Sequence, residues 1–296
     1  MSINRFESFK MIFAMIIFGT IGVFVRNIPL QSGIIALVRG IIGALFLLLV
    51  TTFKKRRISR TAIKDNLFWL CISGTCIGFN WILLFESYRY TSIAVSTLCY
   101  YMAPIIVILT SPFILRERLS IKKGLCVFTA LTGMVCISGI FDTTNTDIRG
   151  LYGILLGLSA ATLYAAAIIT NKKLRSIDAY NKTIFQLSVS SLVLLPYCYL
   201  TSPSGSPVLT PITTILLLVV GIVHTGIAYY LYFGSMEHLS AQSVAIISYI
   251  DPVIALLVSV LLLNESMDSV DFLGAALILG AAFFSEFSLK NREEVI

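Results

Sequence analysis

The sequence predicts an all-α membrane protein of ten transmembrane helices, built from two inverted five-helix repeats, and three observations lead there. Of its 296 residues, 57% are hydrophobic and only 12% charged, against roughly 45–50% and about 25% in soluble domains. Ten apolar runs follow one another with short connections, near 9–28, 33–53, 67–88, 91–115, 122–141, 150–171, 183–201, 212–235, 239–263 and 270–289. The chain also resembles itself when shifted by 148 residues, half its length. So few charges cannot wet the surface of a soluble fold of this size. That excludes an ordinary cytosolic enzyme, a nucleic-acid binder and a disordered protein.

Most runs reach the roughly 20 residues needed to cross the hydrocarbon core. The first is followed by Arg26-Asn27-Ile28-Pro29, which offers no small-x-small cleavage site. It is expected to be a retained helix rather than a signal peptide. The net charge is +7, but the placement of the charges matters more than their sum. A cytoplasmic N-terminus puts eighteen Lys and Arg residues inside: Arg5 and Lys10, the basic stretch 54–64, the stretches 116–123 and 172–182, and Lys290 with Arg292. Four (Arg26, Arg39, Arg89 and Arg149) fall outside or near the outer ends. This bias predicts ten spans with both termini cytoplasmic, in the cell membrane. The segment 202–211 is uncharged and rich in Ser, Pro and Gly, a turn region facing outside. The six cysteines form no C-x-x-C pair and read as small buried hydrophobes with free thiols.

The 148-residue shift places Pro104 on Pro252, Glu117 on Glu265, Tyr101 on Tyr249, Phe85 on Phe233, Ser87 on Ser235 and Ser92 on Ser240. The expected units are therefore residues 1–148 and 149–296. Five helices per unit is an odd number, so the second unit enters the membrane upside down. That is the plan of many secondary transporters, which bind near the midplane between the repeats.

The motifs themselves resemble a known family. Tyr90-Thr-Ser-Ile-Ala, then Ala103-Pro104 at the centre of a helix, then Leu115-Arg-Glu-Arg-Leu-Ser120, are similar to the first repeat of the drug/metabolite transporter superfamily, EamA type. His238-Leu-Ser-Ala, Ile250-Asp-Pro-Val253, Leu263-Asn-Glu265 and Leu273-Gly-Ala-Ala-Leu-Ile-Leu279 resemble its second repeat, and the Arg of Leu37-Val-Arg-Gly40 matches the arginine of its second helix. The resemblance covers nearly the whole chain. It implies ten helices and export or exchange of small metabolites. The glycine that usually precedes each loop Glu is replaced by Arg116 and Asn264, which bears on turn geometry.

Polar residues inside the apolar runs are the candidates for the site. Asp251 falls about halfway along the ninth run, and an intramembrane acid is costly unless neutral, paired or facing water. It reads as a proton or substrate site, or else as a protonated acid bonded between helices. Pro252 beside it removes a backbone donor. Ser248, Asp251, Ala255 and Ser259 share one helical face, and their counterparts are Tyr100, Ala103, Val107 and Ser111, so only one half carries the acid. Arg39 is an outward-snorkelling or structurally paired arginine, or else a functional one. Asn80 is expected to face the bundle interior as interhelical glue or a substrate contact. His224, near the centre of the eighth run, is a core residue or a proton relay. Tyr100, Tyr101, Tyr164 and Tyr249 lie at mid-depth, away from the interfacial belt, and read as cavity lining or packing. Tyr229, Tyr230 and Tyr232 surround their helix and cannot all face one cavity. Glu86 and Arg89 read as interfacial charges or gating groups. Glu117 and Glu265 read as serving the fold, each before a helix start with Ser120 or Ser269 as cap.

The leading expectation is a secondary transporter of a small, amino-acid-like metabolite, working by alternating access with protons as a coupling option. Its partners are the cargo and the lipid bilayer, with no cofactor or metal. The alternative cargo is a cationic amine or drug. A membrane-embedded enzyme would need clustered acids, a His cluster or a nucleophile with its base, and the chain has only His224 and His238. A channel would need a filter sequence, and none is visible. No G-x-x-x-x-G-K-[ST] loop points to ATP.

Overall fold

The computed structural model describes residues 2–55, 59–114, 121–137, 148–201, 209–236, 238–239, 247–248 and 250–293. Every regular element among them is helical. In chain order these are α1 (Ser2–Arg26), α2 (Ser32–Phe53), α3 (Arg60–Asp65), α4 (Leu67–Tyr90), α5 (Ile93–Tyr100), α6 (Ala103–Ile114), α7 (Ile121–Ile137), α8 (Ile148–Asn171), α9 (Ala179–Thr201), α10 (Pro211–Gly221), a π-helical turn (Ile222–Ile227), α11 (Ala228–Met236), α12 (Ile250–Leu263) and α13 (Ser269–Glu293). Among the described residues seven segments are long and apolar enough to cross a membrane, and Gly124–Cys136, Ile250–Leu263 and Ser269–Ala281 are shorter apolar helices.

Several helices start where a side chain takes up first-turn N–H groups. Ser59 accepts from Ala62 N at 3.3 Å, Ser92 from Val95 N at 3.0 Å and Thr210 from Thr213 N at 3.2 Å. Asp178 Oδ1 accepts from the N–H groups of Tyr180 and Asn181 at 3.0 and 3.1 Å. At α13 the cap is Asp268, not Ser269. Asp271 N donates to Asp268 Oδ1 at 2.8 Å and Asp268 N to Asp271 Oδ2 at 3.2 Å, a reciprocal pair that takes up both donors. Glu117 and Ser120 lie outside the described residues.

Three features depart from the pattern of plain apolar runs. The basic stretch after α2 holds a short helix, α3, capped by Ser59. The fourth run is two helices, α5 and α6, with Tyr101 and Met102 as a turn between them. The eighth run contains the π-helical turn.

Large apolar side chains such as Phe53, Phe113, Phe128, Tyr199 and Leu261 stand on the outside, each at least 70% exposed. A soluble protein could not carry that surface; a lipid-facing one requires it. Inside, the two halves of the chain interlock. The most extensive packing sets α4 on α8 and α9, α2 on α9, α1 on α11 and α12, and α7 on α13. Small residues permit these approaches, as expected where lipid removes the hydrophobic drive between helices. At Gly133 an added Cβ would lie 2.7 Å from the Gly274 carbonyl oxygen, so α7 and α13 meet backbone to backbone there.

Candidate functional site

The breaks in the helices position the polar groups. Tyr101 caps the C-terminus of α5, and Pro104 sits in the first turn of α6, where its missing N–H costs no helical bond. Asp251 likewise lies in the first turn of α12, followed by Pro252. The sequence reading placed both near the middle of continuous helices. Instead Pro104 and Pro252 each stand in a first turn, where a proline costs no helical hydrogen bond, while Pro196 is carried inside α9. The Tyr101 hydroxyl donates to Asp251 Oδ2 at 2.9 Å and lies 3.4 Å from the Ser248 carbonyl oxygen.

An aromatic wall adjoins this pair. Tyr100 stacks on Tyr164 with ring centroids 5.1 Å apart and planes 22° from parallel, and meets Tyr101 edge-on at 6.4 Å. Asn80 Nδ2 lies 3.5 Å from the Tyr100 hydroxyl. Asn80 is buried, and its Oδ1 has no hydrogen-bond partner among the described residues. Tyr164 keeps 38% of its surface accessible, so it is not packed solid.

Arg39 closes the other side. It is buried, with its guanidinium 4.2 Å above the Trp81 ring and 5.6 Å from that of Phe85. Its Nε donates to Thr225 Oγ1 at 2.7 Å, and Tyr229 lies near enough to interact with it. Arg39 and Asp251 lie near enough to attract each other, yet among the described residues no ion pair joins them. The region thus presents one cationic pole and one acidic pole, with rings and an unsatisfied amide nearby.

The π-helical turn supplies Thr225. Thr225 Oγ1 donates back to the Val220 carbonyl at 3.1 Å, five residues earlier, so the side chain takes up a carbonyl in the widened turn. Gly43 on α2 makes the approach possible: a Cβ there would lie 2.3 Å from Thr225 Cγ2. His224 on the same turn points elsewhere. Its Nε2 is 3.1 Å from Thr20 Oγ1, its Nδ1 3.4 Å from the Val219 carbonyl oxygen, and its ring 4.7 Å from that of Phe24.

The structure therefore brings Asp251, Ser248 and Tyr101 together, and Tyr100, Tyr164 and Asn80 together, with Arg39 opposite Asp251. His224 stands with Thr20 and Phe24 on α1. Tyr249 lies outside the described residues. Ser259, on the Asp251 face of α12, is bonded instead to Glu265. Trp81, Thr225 and Tyr229 were missed as partners of Arg39. Trp81 had a signal, since it follows Asn80 directly. Among the described residues no group of three His, Cys, Asp or Glu could hold a metal ion.

Charged groups gather where α1, α4 and α12 end. Glu86 Oε2 accepts from Ser32 Oγ at 2.5 Å and lies 3.7 Å from Arg89 Nε, while Arg89 also donates to the Leu30 carbonyl. Glu265 pairs with Arg26 and accepts from Ile93 N at 3.0 Å.

The family described as EamA-like transporter family matches residues 6–139 and again 151–287. The uncharacterized transporter YxxF of Bacillus subtilis (strain 168) is 30% identical over 274 residues, 91% of this chain and 86% of its own. A probable amino-acid metabolite efflux pump of Escherichia coli (strain K12) is 28% identical over 197 residues, 64% of this chain and 65% of its own. One solved crystal structure superposes with a TM-score of 0.64 over 98% of this chain and 99% of that chain, at 17% identity, a likeness of fold alone.

Proposed function

The chain belongs to the EamA-like transporter family, whose members are transporters and not enzymes, and from that membership we propose a secondary transporter that moves a small amino-acid-like metabolite across the cytoplasmic membrane by alternating access. The single observation carrying this reading is the pair of opposite poles that no ion pair joins among the described residues, Asp251 with Tyr101 and Arg39 with Thr225, beside the Tyr100–Tyr164 stack. A buried charge left without an ion pair is costly. A zwitterionic cargo would satisfy both poles at once. Asp251 also offers a titratable proton, so a proton gradient can drive the cycle.

Ten spans in two inverted repeats, with both termini cytoplasmic, remain the architecture that best accounts for the chain. The seven long apolar segments with three shorter ones, and two matches of one family, support it. Because the halves interlock, the moving units are helix groups drawn from both. The cationic-amine reading draws on the absence of a second acid, since Ala103 occupies the position matching Asp251. Binding separates the two. Thermal-shift titration of purified protein with zwitterionic amino acids, their amide or ester derivatives and simple amines should show stabilisation by zwitterions, lost in Arg39→Gln. Stabilisation by amines, unaffected in Arg39→Gln, would favour the alternative.

A further inference from the structure

Glu265 has no place in the central site, yet it makes more connections than any fold-capping role requires. It follows the end of α12 and keeps only 10% of its side chain exposed. Its carboxylate pairs with Arg26 at the end of α1, accepts the Ser259 hydroxyl of α12, and accepts Ile93 N at 3.0 Å. Ile93 is the first residue of α5, so its N–H is one of the free donors of a helix start. A carboxylate there also meets the positive end of the helix dipole. One acid from the second half of the chain thus ties together two helix ends of the first.

Its position relative to the site gives this knot a meaning. Asp251, Ala255 and Ser259 follow one another at intervals of four residues on one face of α12, which leads from the acidic pole to Glu265. Near the other end of that face, Gly19 of α1 lies against the Asp251 carbonyl, where an added Cβ would be 2.6 Å from the oxygen. α5 in turn ends at Tyr100 and Tyr101, the residues that meet the site. The two helices that carry the site's tyrosines and its acid, which also pack on each other, are therefore tied at one end by the Glu265 side chain.

We infer that Glu265 is a latch which holds the Arg26 end of the bundle closed over the site, and that opening toward this side requires its release from Ile93 N and Arg26. The inference rests on the alternating-access reading above. Arg26 is 41% exposed on its side chain, so the latch is wetted on one flank and can open without stranding a charge in lipid.

Thiol labelling tests it without knowledge of the cargo. In a full-length background free of the six native cysteines, Ala255→Cys is exposed to a membrane-impermeant maleimide, in intact cells and in inverted vesicles. Leu209→Cys, next to the start of α10, identifies the side on which Arg26 lies. Ala255 is buried in the latched structure and should label slowly from that side. Glu265→Gln and Arg26→Gln should each speed labelling from that side alone, on the order of tenfold, as loss of one charge-assisted bond does to an equilibrium. Arg26→Gln, at an exposed position, keeps the test open should Glu265→Gln fail to fold. Unchanged rates in the folded variants, or rates raised equally from both sides, would overturn the latch. Cargo flux unaffected by Asp251→Asn would sink the central-site reading while leaving these labelling rates untouched.

Discussion

Tyr101 and Asp251, 150 residues apart in the chain, meet at 2.9 Å, hydroxyl to carboxylate. Each stands at a helix boundary beside a proline, one in either half of the molecule. The bond joins the break in the fourth apolar run to the start of α12, so a change at the carboxylate is felt by both elements.

Tyr101→Phe removes that donor and little else. A hydrogen bond to a charged group contributes about 1.5–3 kcal/mol, so cargo flux should fall on the order of tenfold or more while the melting temperature changes little. Flux in proteoliposomes, beside a thermal melt of the same preparation, checks it. Wild-type flux would show that the hydroxyl is incidental.

Arg39→Lys preserves charge and should still fail. The guanidinium lies over Trp81 while donating sideways to Thr225, and an ammonium cannot do both. Cargo affinity should drop on the order of tenfold, with Trp81→Leu producing a similar loss through the missing ring face. Binding titrations of the two variants decide the matter. A full-affinity lysine variant would mean that only the charge counts.

Gly43→Ala and Gly124→Ala should part company. At Gly43 the new methyl would lie 2.3 Å from Thr225, whereas at Gly124 no described residue beyond its own helix backbone lies within 4 Å. Overpacking costs about 1–3 kcal/mol, so Gly43→Ala should lower the melting temperature and disturb Arg39 through Thr225. Gly124→Ala, in an open stretch of helix, should leave it unchanged or slightly raised.

The proposed sidedness predicts that a cysteine at position 204 labels from outside intact cells. Labelling only after permeabilisation would reverse the orientation derived from the Lys and Arg bias.

Much of this was legible in the sequence, and the reasons for the remainder are physical. Asp251, Arg39, Asn80 and the mid-depth tyrosines stood out because a polar group in an apolar run needs a partner or a purpose. Trp81 was marked only by following Asn80, and Tyr229 not at all, since rings are ordinary in such runs and three tyrosines around one helix give no direction. The π-helical turn carries no local signal: Ile222–Ile227 holds no proline, and the turn is matched by Gly43 on another helix. Glu265 was read as serving the turn that follows it because sequence shows neighbours, whereas its partners Arg26 and Ile93 are distant. The cap of α13 fell to Asp268, whose acid reaches the same donors as the expected serine.

The central claim is that Asp251 acts through a property an amide lacks. Asn in its place can still accept a hydrogen bond from Tyr101, so the fold should survive, but it carries neither a titratable proton nor a charge for the cargo. The direct measurement is cargo flux in proteoliposomes with and without an imposed pH gradient, for the native protein and Asp251→Asn, each verified as folded by its melting temperature. The account predicts gradient-driven flux in the native protein and its loss in the variant. Native rates with an unchanged response to the gradient in folded Asp251→Asn would contradict it.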